Sequence, residues 1–336
     1  MKHRNAVLVG LILCLILVIS IGLWKLVPES TSDSIISGKA THREYSERTV
    51  KIGYLPILAS LPLYVAQENG YFDEQGIRVE PVILQSSNQL VDALVRGDID
   101  IVVESSAVPV LIVETIDPGK IKVFSASDIT PETPFDSLII PKGSQLSSLY
   151  DLEGKKIGVF PGSTATNLLK SFLKDKGVDV TEIEFIQIVP PTQLPALYAG
   201  TIDVLHSYEP TTTIALESGN AKKLYGSVYA EQLNHNPQGV ALISSKFIAE
   251  NPTLANKVVT SFDKASDFIE QNEGKARLII PKYVKLDQNV ADKSVLLYMS
   301  RSDNINKVAM KKYVDMLYDV GELKTRVSTS ALYYVP

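Results

Sequence analysis

NQLVDALVRGDIDIVV, residues 88–103, is written a second time as QLPALYAGTIDVLHSYEP, residues 193–210. The first copy carries Gln89-Leu90, Ala93-Leu94, Gly97 and Ile99-Asp100-Ile101. The second carries Gln193-Leu194, Ala196-Leu197, Gly200 and Ile202-Asp203-Val204, with one residue fewer in the middle. Ahead of each stands a strand opened by the same dipeptide, Ile52-Gly53-Tyr54 and Ile157-Gly158-Val159. An internal echo of this kind predicts two similar α/β lobes, and two lobes in one chain make a cleft that suits a small molecule.

Working outward, Thr49 to Tyr54 reads as a strand, with Ser60 placed to cap a helix from Leu63 to Asn69 that Gly70 ends. Tyr71 to Gly76 reads as a connection and Ile77 to Leu84 as a strand. Ser86, Ser87 and Asn88 cap a helix that Gly97 closes, and Ile99 to Val103 is a third strand, apolar on both faces. The order repeats with strands at Lys156–Phe160, Ile183–Val189 and Ile202–His206, and helices at Ala165–Lys176, Gln193–Ala199 and Thr211–Glu217. Strands alternating with helices predict doubly wound, mainly parallel sheets with their binding loops at the carboxyl ends of the strands. Phe135–Pro141 and Gly239–Ser244 read as extended crossings between lobes, and Pro252–Asn272 and Lys307–Leu317 as helices. Lobe one is expected at 49–138 plus 243–336, lobe two at 139–242.

The 336 residues, 45% of them hydrophobic, suffice for two cores at roughly 100–200 residues per domain. A net charge of −5 without any basic block argues against nucleic acid. The only cysteine is Cys14, and the four histidines are scattered, so neither a disulfide nor a zinc site is expected in the body. No cofactor motif and no acid–base or nucleophile constellation stands out, so the chain is expected not to be an enzyme.

Lys2, His3 and Arg4 precede an apolar run from Ala6 to Leu23. Residues 1–27 therefore read as one transmembrane or signal helix, which sends the rest of the chain outside the cytoplasm. A retained anchor and cleavage after Gly22 stay open as alternatives; lipidation at Cys14 is poorly supported, since Leu13 stands where such signals place a small residue. Residues 28–48 have the polar, Ser/Thr-rich composition of a linker.

Four stretches together resemble a family: IGYLPILASLPLYVAQENGYFDEQGI, NQLVDALVRGDIDIVV, DLEGKKIGVFPGSTATNLL and QLPALYAGTIDVLHSYEP. From Lys51 to about Gln271 the chain is similar to type II periplasmic solute-binding proteins of the nitrate/sulfonate/taurine group, whose relatives include binders of thiamine-pyrimidine precursors. The resemblance implies a two-lobed type II periplasmic-binding fold and a monomeric, extracytoplasmic component of an ABC importer. Its partners would be a permease and its ATPase, its solute sulfonate-like, aminosulfonate-like or pyrimidine-like. Enzymes on the same fold, making pyrimidine or menaquinone precursors, are the alternative, together with a ligand-sensing domain for a membrane signalling partner.

The strand ends nominate the ligand-binding residues: Tyr54, Ser60, Ser86, Ser87, Glu104 and Ser105 in lobe one, and Gly162, Ser163, Thr164, Tyr208 and Glu209 in lobe two. Helix openings offer free N–H groups and hydroxyls to oxyanions. None of these loops carries lysine or arginine, and Glu104 with Glu209 suggests a solute that also has a cationic or N–H end. The serine and threonine pairs have an alternative role as helix caps only. Asp100 and Asp203 are expected to be structural, closing the turns into their strands.

Overall fold

The computed structural model describes residues 46–336, and the expected leader and nearly all of the linker lie outside them. Two sheets of five strands each make the frame. The first holds β1 (Thr49–Tyr54), β2 (Arg78–Ile83), β3 (Ile101–Ser106), β4 (Ile121–Ile129) and β10 (Asn236–Ser244), in the order β2-β1-β3-β10-β4. The second holds β5 (Asp136–Pro141), β6 (Lys156–Val159), β7 (Glu184–Gln187), β8 (Val204–Tyr208) and β9 (Ala221–Tyr225), in the order β7-β6-β8-β5-β9. The orders are the same: three parallel strands, then one antiparallel strand in fourth place.

The sequence echo has a mechanical reason. Gly53 and Gly158 occupy matching places on the first parallel strands, and a Cβ on either would overlap an isoleucine methyl, that of Ile99 or Ile202. Asp100 Oδ2 accepts the Lys51 amide at 3.0 Å, and Asp203 Oδ2 accepts the Lys156 amide at 2.8 Å. Each aspartate thus ties the turn before its own strand to the start of the neighbouring strand, as expected. The repeat is scaffold.

Among the described residues, fourteen α-helices surround the sheets. Those that position the cleft are α1 (Leu61–Glu68), α3 (Ser87–Arg96), α5 (Ser163–Asp175), α7 (Thr211–Glu217), α8 (Val228–Gln232), α10 (Pro252–Gln271), α13 (Gln288–Lys293) and α14 (Lys307–Asp319). Val50, Ile52, Ile101 and Val103 bury one face of the first sheet with residues of α1 and α10. Val102, Val123, Val240 and Leu242 bury the other with residues of α3 and α14. Among the described residues no helix is long and apolar enough to cross a membrane.

Two strands escape the sequence reading, β4 and β9. Serines at 125 and 127 break the alternation of β4, and β9 is an edge strand with exposed lysines. The connection at 71–76 contains a short helix, Tyr71–Glu74. β5 lies whole in the second sheet and β10 whole in the first, although the expected lobe bounds at 138/139 and 242/243 run through both.

Strand direction places the cleft. β1, β2 and β3 end on one edge of the first sheet; β10 begins there, with Gly239 opposite Ser106, and β4 ends there, with Ile129 opposite Asn236. In the second sheet β6, β7 and β8 end on the edge where β5 begins, with Asp136 opposite Tyr208. The chain crosses between sheets at 130–135 and again at 226–235, from edge to edge each time. The loops nominated from the sequence all leave these two edges.

Candidate functional site

On the first edge, Ser60 is fully buried and its hydroxyl donates to the Leu55 carbonyl at 2.7 Å. It makes no side-chain cap on α1, which corrects the sequence expectation: a proline in the first turn of α1 reduces the unpaired amides, and the hydroxyl turns back to its own loop. Ser86 does cap α3, accepting the Gln89 amide at 3.2 Å. Ser87 accepts the Ser106 amide at 2.9 Å and so ties the loop after β2 to the loop after β3. Ser105 is buried and donates to the Ser106 carbonyl at 3.1 Å. Tyr54 stands edge-on to Tyr64, ring centres 6.0 Å apart, and partial burial raises its pKa.

Glu104 is the unusual group on this edge. It is buried, it receives one hydrogen bond (from Ser127 Oγ, 3.3 Å), and its Oε2 has no partner. Its carboxyl lies over Gly239, where any Cβ would collide with Oε1, so the glycine makes the slot. Burial without a cation raises its pKa from 4.5 to about 8, against the smaller lowering effect of Ser127. At neutral pH Glu104 is mostly a neutral acid with a proton to donate.

On the second edge, Glu209 accepts the Thr213 amide at 3.2 Å at the start of α7. Burial raises its pKa. Tyr208 lies against Phe160 and His206, with its hydroxyl 2.8 Å from that of Tyr229, and burial raises its pKa too. Behind it, His206 Nε2 lies 2.9 Å from Asp136 Oδ2, which also accepts the Val228 amide at 2.9 Å, and Ser227 donates to Oδ1. His206 is a buried strand residue, in line with the sequence reading.

Gly162, at φ +116°, exchanges hydrogen bonds with the Gln187 side chain and turns the chain abruptly into α5. The hydroxyls of Ser163 and Thr164 are thereby presented together. Thr164 Oγ1 donates to Glu322 Oε2 at 2.8 Å, Ser163 Oγ to the same oxygen at 3.1 Å, and Asn167 Nδ2 to Oε1 at 2.5 Å. Three neutral donors at a helix N-terminus hold both oxygens of one carboxylate. Asn167, one turn on from Ser163 and within the quoted stretch but not nominated from it, and Glu322, far away in sequence, both escape the sequence reading.

Four apolar side chains stand exposed at the strand ends: Ile57 (39%) and Ile83 (53%) on the first edge, Phe160 (42%) and Val189 (54%) on the second. A pocket of about 250 Å³ lies beside the 130–135 crossing, lined in part by Asp128, Thr130, Thr133 and Asn306. Several of its groups are already engaged: Thr130 with Thr133, Asn306 with the Ala309 amide, Asp128 with His235 at 3.3 Å. Among the described residues no cluster of His, Cys, Asp and Glu could hold a metal ion.

The sequence profile of the NMT1-like family matches residues 43–280, most of the chain. The chain belongs to the NMT1-like family. This NMT1-like chain is 23% identical over 297 residues to a protein of Brucella abortus (strain 2308) whose name gives it a binding role, with 84% of this chain and 89% of that protein covered. Its fold matches the crystal structure of the periplasmic aliphatic sulphonate binding protein SsuA from Escherichia coli at a TM-score of 0.72 and 18% identity, covering 87% of this chain and 93% of the other. It also matches the desulfurization enzyme DSZB at a TM-score of 0.65 and 16% identity, covering 85% and 96%. The two-lobed fold of the NMT1-like chain therefore carries binding proteins and at least one enzyme.

Proposed function

We propose that the protein is the extracytoplasmic solute-binding component of an ABC importer, closing its two lobes on a small solute that has an oxyanion head and an apolar body. The observation that carries this reading is the seat at the start of α5, where Ser163, Thr164 and Asn167 already hold both oxygens of a carboxylate. A sulfonate or carboxylate head offers the same acceptors to the same donors. The exposed Ile57, Ile83, Phe160 and Val189 supply apolar surface on both edges for the rest of the solute. Family membership, the binding role in the name of the Brucella protein and the likeness in fold to a sulphonate-binding protein, SsuA, support the same class.

A cationic end on the solute loses its support. Glu209 is engaged by the Thr213 amide at the start of α7, and Glu104 retains its proton. Glu104 instead suits a solute acceptor, to which it donates. The lobes of the reading are the two sheets with their helices, the protein works as a monomer, and the N-terminal segment ties it to a membrane beside its permease and ATPase. A binder is favoured over an enzyme of the DSZB type, because the related Brucella protein carries a binding role in its name over 84% of this chain.

Mass spectrometry of small molecules released from the full chain, purified without added ligand, tests the reading. A sulfonate or carboxylate bearing an apolar group, bound one to one, is the expected result. A cation or a sugar in its place would overturn it.

A further inference from the structure

Glu322 stands where it does by construction. Gly321, at φ +83°, ends α14 in a left-handed turn, with its amide on the Tyr318 carbonyl at 3.0 Å and the Glu322 amide on the Leu317 carbonyl at 2.8 Å. Leu323, next in line, is buried, with its own amide on the Leu317 carbonyl at 3.2 Å. The backbone on both sides of Glu322 is therefore fixed to the end of a helix that packs on β10, in the first lobe. Its side chain leaves that lobe and enters the donor set of α5 in the second. Among the described residues no lysine or arginine pairs with it, so its hydrogen bonds come from neutral groups that a solute head would also use.

We propose that Glu322 is the resident occupant of the solute's oxyanion seat: without solute it latches the first lobe to the second, and a solute binds by displacing it. The inference rests on the reading of the α5 seat given above. It assigns Glu322 a role in specificity. A tethered carboxylate competes at an effective concentration in the millimolar range for a short flexible link, and higher where the link is as constrained as this one. A small inorganic anion brings only its head and loses that competition. A solute with an apolar body adds contacts at Ile57, Ile83, Phe160 and Val189 that Glu322 cannot make, and wins it. The apparent affinity is the intrinsic one reduced by the fraction of molecules whose seat is vacant.

The test uses the full chain, its Glu322→Ala and Glu322→Gln variants, and two probes, butane-1-sulfonate and inorganic sulfate, by calorimetry. With the competitor removed, Glu322→Ala should bind butane-1-sulfonate roughly tenfold or more tightly than the parent chain. Glu322→Gln, which keeps one acceptor but loses the charge, should fall between. Sulfate binding should emerge in Glu322→Ala at concentrations where the parent shows none. Small-angle scattering without solute should give Glu322→Ala the larger radius of gyration, since the latch is gone. Equal affinities in all three proteins would overturn the proposal, and so would weaker binding by the variants, which would make Glu322 a support of the bound state. If none of the three binds a sulfonate, the reading of the solute fails. The latch is then decided by scattering, where equal radii refute it.

Discussion

Each lobe buries a carboxyl group beside its antiparallel fourth-place strand, and the two are treated in opposite ways. In the second lobe Asp136, at the start of β5, is surrounded by His206 Nε2, Ser227 Oγ and the Val228 amide. In the first lobe Glu104 lies over Gly239 of β10 with Ser127 as its one partner and an oxygen left over. A buried polar group is inexpensive when every bond is made and costly when one is missing. Asp136 is therefore a fastener. Glu104 carries an unmet hydrogen-bonding capacity at the edge where the solute is proposed to bind, which marks it for function and not for stability.

The largest effect should come from breaking the fastener. Asp136→Ala leaves His206, Ser227 and the Val228 amide without their shared acceptor, and should cost about 3–5 kcal/mol in denaturant unfolding. Glu104→Gln keeps the shape and a donor, and should stay within about 1 kcal/mol of the parent at mildly acid pH. Similar losses in the two variants would erase the contrast.

Comparable in size across its whole window is a dependence on pH that belongs to Glu104. Its pKa stands near 8 in the fold against an ordinary 4.5. Between those values the folded chain keeps a proton that the unfolded chain has released, so rising pH favours unfolding. The loss is absent below the unfolded value, grows by up to about 1.4 kcal/mol per pH unit through the window, and is complete above the folded value. Glu104→Gln should flatten this part of the profile; an unchanged slope in the variant would assign it to other groups.

The smallest effect sharpens the likeness between lobes. Gly53→Ala and Gly158→Ala each push a methyl into an isoleucine Cδ1, so both should destabilise by a similar amount, about 1 kcal/mol. Ile202→Val should rescue the second by removing the colliding carbon, and Ile99→Val should rescue the first in part, because Leu90 Cδ2 still stands 2.9 Å from the added Cβ. A loss in one lobe without its counterpart in the other would show that the repeat does not build equivalent scaffolds.

Much of the scaffold was legible because it repeats. Gly-x-Ile-Asp fixes a turn, a packing contact and a hydrogen bond to the neighbouring strand at once, so Asp100 and Asp203 could be read from spacing alone. The paired hydroxyls of Ser163 and Thr164 were legible as a helix opening that suits an oxyanion. What occupies them was not, since Glu322 follows no local pattern and reaches α5 only through the packing of α14. The state of Glu104 was hidden for a similar reason: its proton is set by burial and by the distance to the nearest cation, neither of which is written in the residues beside it. Ser60 shows the converse error, a well-placed cap whose hydroxyl found a nearer acceptor in Leu55.

An oxyanion seat joined to an apolar wall between two lobes is tested most directly by titrating the full chain with linear alkanesulfonates of increasing length in a calorimeter. One site per chain is expected, with an affinity that rises with each methylene by up to about 0.8 kcal/mol, until the exposed surface of Ile57, Ile83, Phe160 and Val189 is covered. Affinity independent of chain length, or inorganic sulfate binding as tightly as the longest alkanesulfonate, would contradict it.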